Sequence, residues 1–242
     1  MKLAQTESVD LMSSEEDRLV RSLVDPYLPQ TGSTFIDIGA NSGRWSNYLS
    51  PRFAKVIAVE PEPAAYQSLY SNMAGNVLPV LAALWSEPIL LELYLYSSTA
   101  HASIFGDSSV DEWGRLRGRS TGGLFCAATT LDHLAEMLDV KGCDLIMIDT
   151  EGSEDQVVKG GLAFIEEQSP ELIIRVHLRE SSGRIEEMLV PLGYVFHSLN
   201  DPALKAGSTF SNDNLWLVCE PRPHTKQVKP EIKELHTDAF LA

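Results

Sequence analysis

Cysteine is scarce. Three residues in 242, at positions 126, 143 and 219, form no Cys-x-x-Cys pair, so neither a zinc site nor a disulfide framework is signalled, and an odd count suits a reducing compartment. Long apolar runs are also missing: none approaches the roughly 20 residues of a spanning helix. The start of the chain, Met1 to Glu7, turns polar and acidic before an apolar core builds, unlike a signal peptide. A cytoplasmic protein is the expectation. Positive charge is short as well, with 19 bases against 34 acids and a net charge of −15. Such a surface repels phosphate backbones and anionic lipid, which disfavours duplex nucleic acid and membranes as partners. One stretch departs from this: Gly114 to Arg119 holds three arginines and no acid.

What is present has the ordinary balance of a globular domain, with 44% apolar and 22% charged residues, and suits one large domain or two small ones. Helical and extended patterns alternate. Ser13 and Ser14 before three acids read as a helix start, with Leu19, Val20, Leu23 and Val24 at helical spacing. Thr34 to Ile38 reads as a short buried strand, followed by a helix carrying Trp45, Tyr48 and Leu49. Lys55 to Val59 repeats the unit, with Pro63 where the next helix would begin. Leu78 to Leu84, Leu90 to Tyr96, Asp144 to Ile148, Leu172 to Val176, Tyr194 to Leu199 and Asn214 to Cys219 supply further strands. The spacing from Ser153 to Gln156 fits a capping box at the helix after the fourth parallel candidate. Alternation of this kind implies a parallel sheet covered on both faces, with ligands at the carboxyl ends of its strands. We divide the chain into a lead-in (1–33), a main domain (34–219) with an irregular insertion at 97–129, and a tail (220–242).

The first strand runs into Asp37-Ile38-Gly39-Ala40-Asn41-Ser42-Gly43. Glycines there let backbone approach a ligand at a helix N-terminus. A dinucleotide fingerprint would need glycine at 41 and 44, where Asn and Arg stand. Asp37 would repel a pyrophosphate and attract a ligand bearing an ammonium and a sulfonium, the charges of S-adenosylmethionine. Glu60 ends the second strand 21 residues after Gly39, where an acid accepts hydrogen bonds from ribose hydroxyls.

Four motifs carry a family resemblance: FIDIGANSG (Phe35 to Gly43), VEPEPAAYQSLYSN (Val59 to Asn72), TTLDHL (Thr129 to Leu134) and LIMIDTEGSEDQVVKGG (Leu145 to Gly161). In order and spacing the chain resembles the FkbM-type methyltransferases, class I enzymes that use S-adenosylmethionine, mostly to methylate hydroxyls of sugars or natural products. The resemblance covers roughly residues 34–200. It implies a three-layer α/β, Rossmann-like fold around a mostly parallel seven-stranded sheet with a reversed last strand. It also implies that Asp37, Gly39, Ala40, Asn41 and Gly43 cradle the amino-acid part of the cofactor, that Glu60 holds its ribose, and that the stretch around Ala83 borders its adenine.

Asp149, Thr150, Glu151, Gly152, Ser153, Glu154 and Asp155 place four acids in seven residues at the catalytic end of the sheet. Glu154 and Asp155 fall in a first helical turn, where acids are favoured in any case. Asp149 and Glu151 precede the helix and are the candidate catalytic pair. A hydroxyl acceptor must lose its proton during methyl transfer, and Asp149, assisted by Glu151 or His177, is the expected proton acceptor. Two acids could instead hold a divalent cation that positions the substrate hydroxyl, a reading less favoured because spacing signals no third ligand. Arg175 departs from the resembled family, which usually has an acid there. A charged residue in a central strand is costly unless paired, so Arg175 should meet Asp149, Glu151 or an anionic group of the substrate. His133 and His197 read as structural.

Arg115 and Arg117, with Arg119, are candidate substrate-binding residues that could fork-bind a carboxylate or phosphate. The function expected is O-methylation of a small molecule, sugar or natural product, with a small-molecule or glycan acceptor as partner. The alternatives are a nitrogen or nucleic-acid acceptor, and a module that binds S-adenosylmethionine without turnover.

Overall fold

The structure, a computed structural model, describes residues 24–95, 102–103, 122–199 and 215–222, together with Arg21. The helix expected from Ser13 and most of the tail lie outside the described residues. No helix among those described is long and apolar enough to cross a membrane.

Seven strands form the main sheet: β1 (Gly32–Ile38), β2 (Phe53–Val59), β3 (Val77–Val80), β8 (Leu145–Ile148), β9 (Glu171–Val176), β10 (Tyr194–Ser198) and β11 (Leu215–Pro221). Their order is β10-β11-β9-β8-β1-β2-β3. All run parallel except β11, which is antiparallel to both its neighbours. The expected α/β fold with a reversed last strand is thus present. The central strands read as apolar runs because both faces are covered: every residue of β8 is buried, as are the last five of β1.

Alternation along the strands sends side chains to opposite layers. Ile36, Ile38, Ile146, Ile148, Ile174 and Val176 pack with α3 (Leu131–Met137), α4 (Glu154–Lys159), α5 (Leu162–Gln168) and α6 (Arg179–Leu189). Phe35, Val56, Ala58, Leu145, Met147 and Ile173 face the other way, against Leu49 and Leu69 from α1 (Arg44–Leu49) and α2 (Pro63–Asn72). Pro63 opens α2 as expected, and Glu62 caps it by accepting the Ala64 and Ala65 N–H groups. That carboxylate satisfies two donors left over at the helix start.

Three expectations need correction. Leu78 to Leu84 is not one strand: β3 ends at Val80, and β4 (Ala83–Leu84) joins β5 (Ile89–Leu95), β6 (Ala102–Ser103) and β7 (Gly122–Thr129) in a second sheet of order β4-β7-β5-β6. β3 is an edge strand and so tolerates Pro79, which has no N–H to donate. The stretch at 97–129 is not wholly irregular either, since β6 (Ala102–Ser103) and β7 (Gly122–Thr129) lie within it. β7 is rich in Gly and Ala, with weak strand propensity of its own. It is held by seven register pairs with β5 (Ile89–Leu95), from Ile89 with Ala128 to Leu95 with Gly122, which bring Leu93 opposite Leu124. Finally, Ser153 does not form the capping box. Its hydroxyl donates to the Thr150 carbonyl, and the Gln156 side chain donates to Asp155. Glu154 instead takes the Gly152 N–H at 2.8 Å.

Candidate active site

The carboxyl ends of β1, β2, β8 and β9 converge. Asp37 pairs in register with Ala58 of β2 and Met147 of β8. It is 2% exposed and accepts the Ser46 hydroxyl of α1 at 2.5 Å. Burial pushes its carboxyl up to about 7, against the Ser46 hydrogen bond and with help from the Asp149 charge. Glu60, 6% exposed, accepts the N–H groups of Asn41 and Glu62, each at 2.8 Å. Burial also raises Glu60 to about 7, opposed by those two N–H groups. Among the described residues no cation pairs with either carboxylate.

The loop between β1 and α1 depends on positive φ at Gly39 (82°), Asn41 (50°) and Gly43 (84°). Gly39 is glycine for two reasons: its left-handed backbone disfavours side chains, and a Cβ there would stand 2.0 Å from the Asp149 carbonyl oxygen. The strand neighbour, as much as any ligand, therefore demands this glycine. Gly43 presses on Leu69 in the same way, at 2.5 Å for an added Cβ. Ala40 is buried with the α1/α2 layer. Ala83 sits in β4, buried and in register with Ala128 of β7. Cys126, next to it on β7, has its thiol raised by burial, with the Glu60 charge adding to the effect.

Asp149, Glu151 and His177 meet at the mouths of β8 and β9. The parallel register of Ile148 with Ile174 sets Asp149 beside Arg175. The Arg175 guanidinium reaches Asp149 Oδ2 at 3.5 Å and lies over the Trp216 ring of β11, 5.7 Å from its centre. This is the carboxylate pairing expected for a charged residue in that strand. His177 Nε2 lies 3.6 Å from Asp149 Oδ1 and 3.7 Å from Glu151 Oε1. His177 Nδ1 lies 2.8 Å from Glu154 Oε1. One atom each of Asp149, Glu151 and His177 fall within 4.8 Å of one another. Glu151 and Gly152 both have positive φ, 57° and 114°, so the chain turns sharply where β8 leaves the sheet.

Burial alone would lower the His177 pKa. The Glu154 hydrogen bond and charge, with Glu151 and Asp149, outweigh it and carry the imidazole to about 9. Asp149 is raised by burial, with Glu151 and Glu154 adding, while Arg175 and His177 hold it back.

Glu154, one of the two acids set aside as helix-start residues, is fully buried and anchors His177. Asp155, 3% exposed, is held by Arg184 at 2.5 Å and Ser181 at 3.2 Å. The signal for Glu154 was present as an acid one turn from a strand mouth, but its partner is 23 residues away. His133 and His197 stand apart: His133 lies 3.9 Å from Glu136, and His197 bonds Glu220 at 2.9 Å. Arg115, Arg117 and Arg119 lie outside the described residues.

A seven-stranded sheet with one reversed strand, and acids at the mouths of the first, second and fourth parallel strands, define the class I methyltransferase fold. The chain belongs to the methyltransferase FkbM domain family, whose model matches residues 37–196. It is similar to methyltransferase sdnD of Sordaria araneosa, 28% identical over 191 residues, covering 66% of this chain and 72% of that protein. It is also similar in fold to the crystal structure of a methyltransferase FkbM from Methylobacillus flagellatus KT. That likeness has a TM-score of 0.50 at 16% identity over 78% of this chain, which spans only 44% of that one.

Proposed function

We propose that the chain methylates a hydroxyl of a small molecule or glycan, using S-adenosylmethionine. The observation that carries the reading is the pair of buried carboxylates, Asp37 and Glu60, at the ends of adjacent parallel strands with no cationic partner among the described residues. Two buried acids without a cation are costly, and a ligand with an ammonium, a sulfonium and ribose hydroxyls supplies what they lack. Asp37 and the Gly39–Gly43 loop would hold the amino-acid end, Glu60 the ribose, and Ala83 the edge of the base. That cofactor supplies an electrophilic methyl group on a good leaving group, so the chain's main work is alignment.

The remaining requirement is to remove the hydroxyl proton. Asp149 is the acceptor we favour, because it stands at the strand mouth with Oδ1 bearing no hydrogen bond and Oδ2 restrained by Arg175. Glu151 and His177 flank it and set its charge environment. The arginines at 115, 117 and 119 would meet an anionic group on the acceptor. In an acceptor screen, Asp149→Asn should lower kcat by about 10²–10⁴-fold, the usual worth of a general base, while the cofactor Kd stays within about threefold. Undiminished turnover in that variant would remove Asp149 from the reaction.

A further inference from the structure

We infer that Asp149, Glu151 and His177 form a binding site for a first-row divalent cation, with Glu154 as the positioning residue that aims His177 into it. The inference goes beyond methyl transfer and does not depend on it.

His177 is 6% exposed, yet its Nε2 has no hydrogen-bond partner, and the facing Asp149 Oδ1 has none either. An unpaired buried polar atom is expensive, and here two of them face each other. The 3.6 Å and 3.7 Å separations from Nε2 to Asp149 and Glu151 are too long for hydrogen bonds. They are close to the roughly 3.0–3.5 Å expected between donor atoms that each lie about 2.0–2.2 Å from a shared ion.

Glu154 completes the arrangement. Its Oε1 holds His177 Nδ1 at 2.8 Å with both side chains buried, which assigns the Nδ1 proton to that bond and turns Nε2 toward the carboxylates. A carboxylate behind a histidine is the usual support for an imidazole ligand. The charges agree. Asp149, Glu151 and Glu154 bring three negative charges, and Arg175 covers only the Oδ2 side of Asp149. A doubly charged ion that takes the place of a proton on Nε2, leaving His177 neutral, would bring the group to neutrality.

One imidazole and two carboxylates suit manganese, iron or zinc better than calcium, which takes oxygen ligands. Three protein donors leave coordination positions open, and an acceptor hydroxyl bound there would be acidified by the ion. Asp149 holds the ion through Oδ1, and its Oδ2 remains to accept the hydroxyl proton, as in the proposed methyl transfer.

The test uses the full chain without an affinity tag, stripped with chelator and titrated with Mn²⁺ alone, followed by calorimetry and by electron paramagnetic resonance. One saturable site is expected. His177→Gln should abolish it, Glu151→Gln should weaken it at least tenfold, and Glu154→Gln should weaken it about 10–100-fold through loss of orientation. The exposed His133→Ala change should leave it intact. Circular dichroism on each variant separates lost ligands from lost folding, and Glu151, more exposed than His177, carries the result if His177→Gln misfolds. Absence of saturable binding by both Mn²⁺ and Zn²⁺ at millimolar concentration would overturn the site, as would binding that survives both the His177 and Glu151 changes. Since neither cofactor nor acceptor is present, failure here leaves the proposed methyl transfer standing.

Discussion

Glu154 Oε1 meets His177 Nδ1 at 2.8 Å across the gap between α4 and the end of β9, with both side chains shielded from water. The same oxygen accepts the Gly152 N–H at 2.8 Å. One carboxylate therefore fixes the imidazole and closes the turn that carries Glu151. Glu154→Gln keeps the shape and removes the charge, leaving the buried imidazole only the more distant carboxylates of Asp149 and Glu151. Breaking a buried pair from one side costs about 3 kcal/mol, and urea unfolding should show a loss of that order with an unchanged slope. Wild-type stability in that variant would mean the pair is only incidental.

Gly39 offers a sharper stability test. Its φ is +82°, and an added Cβ would stand 2.0 Å from the backbone oxygen of Asp149. Because the obstacle is backbone in a buried strand neighbour, it cannot swing aside as a side chain would. Gly39→Ala combines left-handed strain of about 1–2 kcal/mol with displacement of β8, so a loss above about 3 kcal/mol, or no soluble protein, is expected. Gly183→Ala is the internal comparison: it lies in α6 with nothing within 4 Å of the added carbon. That change should stabilise by about 0.5–1 kcal/mol. Equal thermal shifts for the two variants would contradict the packing described for Gly39.

The strands of the main sheet were legible in the chain because burial on both faces leaves uninterrupted apolar runs, as at Leu145–Ile148. Arg175 was legible for the converse reason: a charge between Ile174 and Val176 has to find a partner, and it finds Asp149. β7 was not, because Gly122 to Thr129 has little propensity to extend and takes its form from β5. His177 was legible as a partner of Asp149 only through the strand order that the family resemblance implies, and its buried anchor Glu154 was not legible as part of the site at all. His177 is 26 positions beyond Glu151, and only the adjacency of β8 and β9 brings them together. Spacing along a chain reports partners on one helix or strand, whereas this cluster is assembled by strand order. Ser153 shows the opposite failure, a local pattern whose two side chains go elsewhere: the Ser153 hydroxyl donates to the Thr150 carbonyl and the Gln156 amide to Asp155.

The arginines at 115, 117 and 119 are the dense positive charge in a chain of net charge −15. If they meet the acceptor, replacing all three with Ala should raise the acceptor KM about tenfold or more, the worth of one lost charged hydrogen bond, and leave the cofactor Kd unchanged. A parallel loss of both affinities would assign the segment to folding instead.

Asp37 and Glu60 give the cofactor end of the site a pH dependence whose sign can be worked out. Both carboxyls are raised by burial to about 7, from ordinary values of 3.8 and 4.5. With the folded value above the unfolded one, their contribution to stability is fully present below pH about 4 and is withdrawn as pH rises toward 7. A cationic ligand reverses the preference, since it favours the ionised carboxylates and pulls their protons off. S-adenosylmethionine should therefore bind more tightly at pH 8 than at pH 6, by up to roughly tenfold for each group that it contacts. Calorimetry at pH 6.5 in two buffers of different ionisation enthalpy should register protons released on binding. Glu60→Gln should remove part of that release and weaken binding at pH 8 more than at pH 6. The same Kd at both pH values, with no proton release, would mean that neither carboxylate faces the cation.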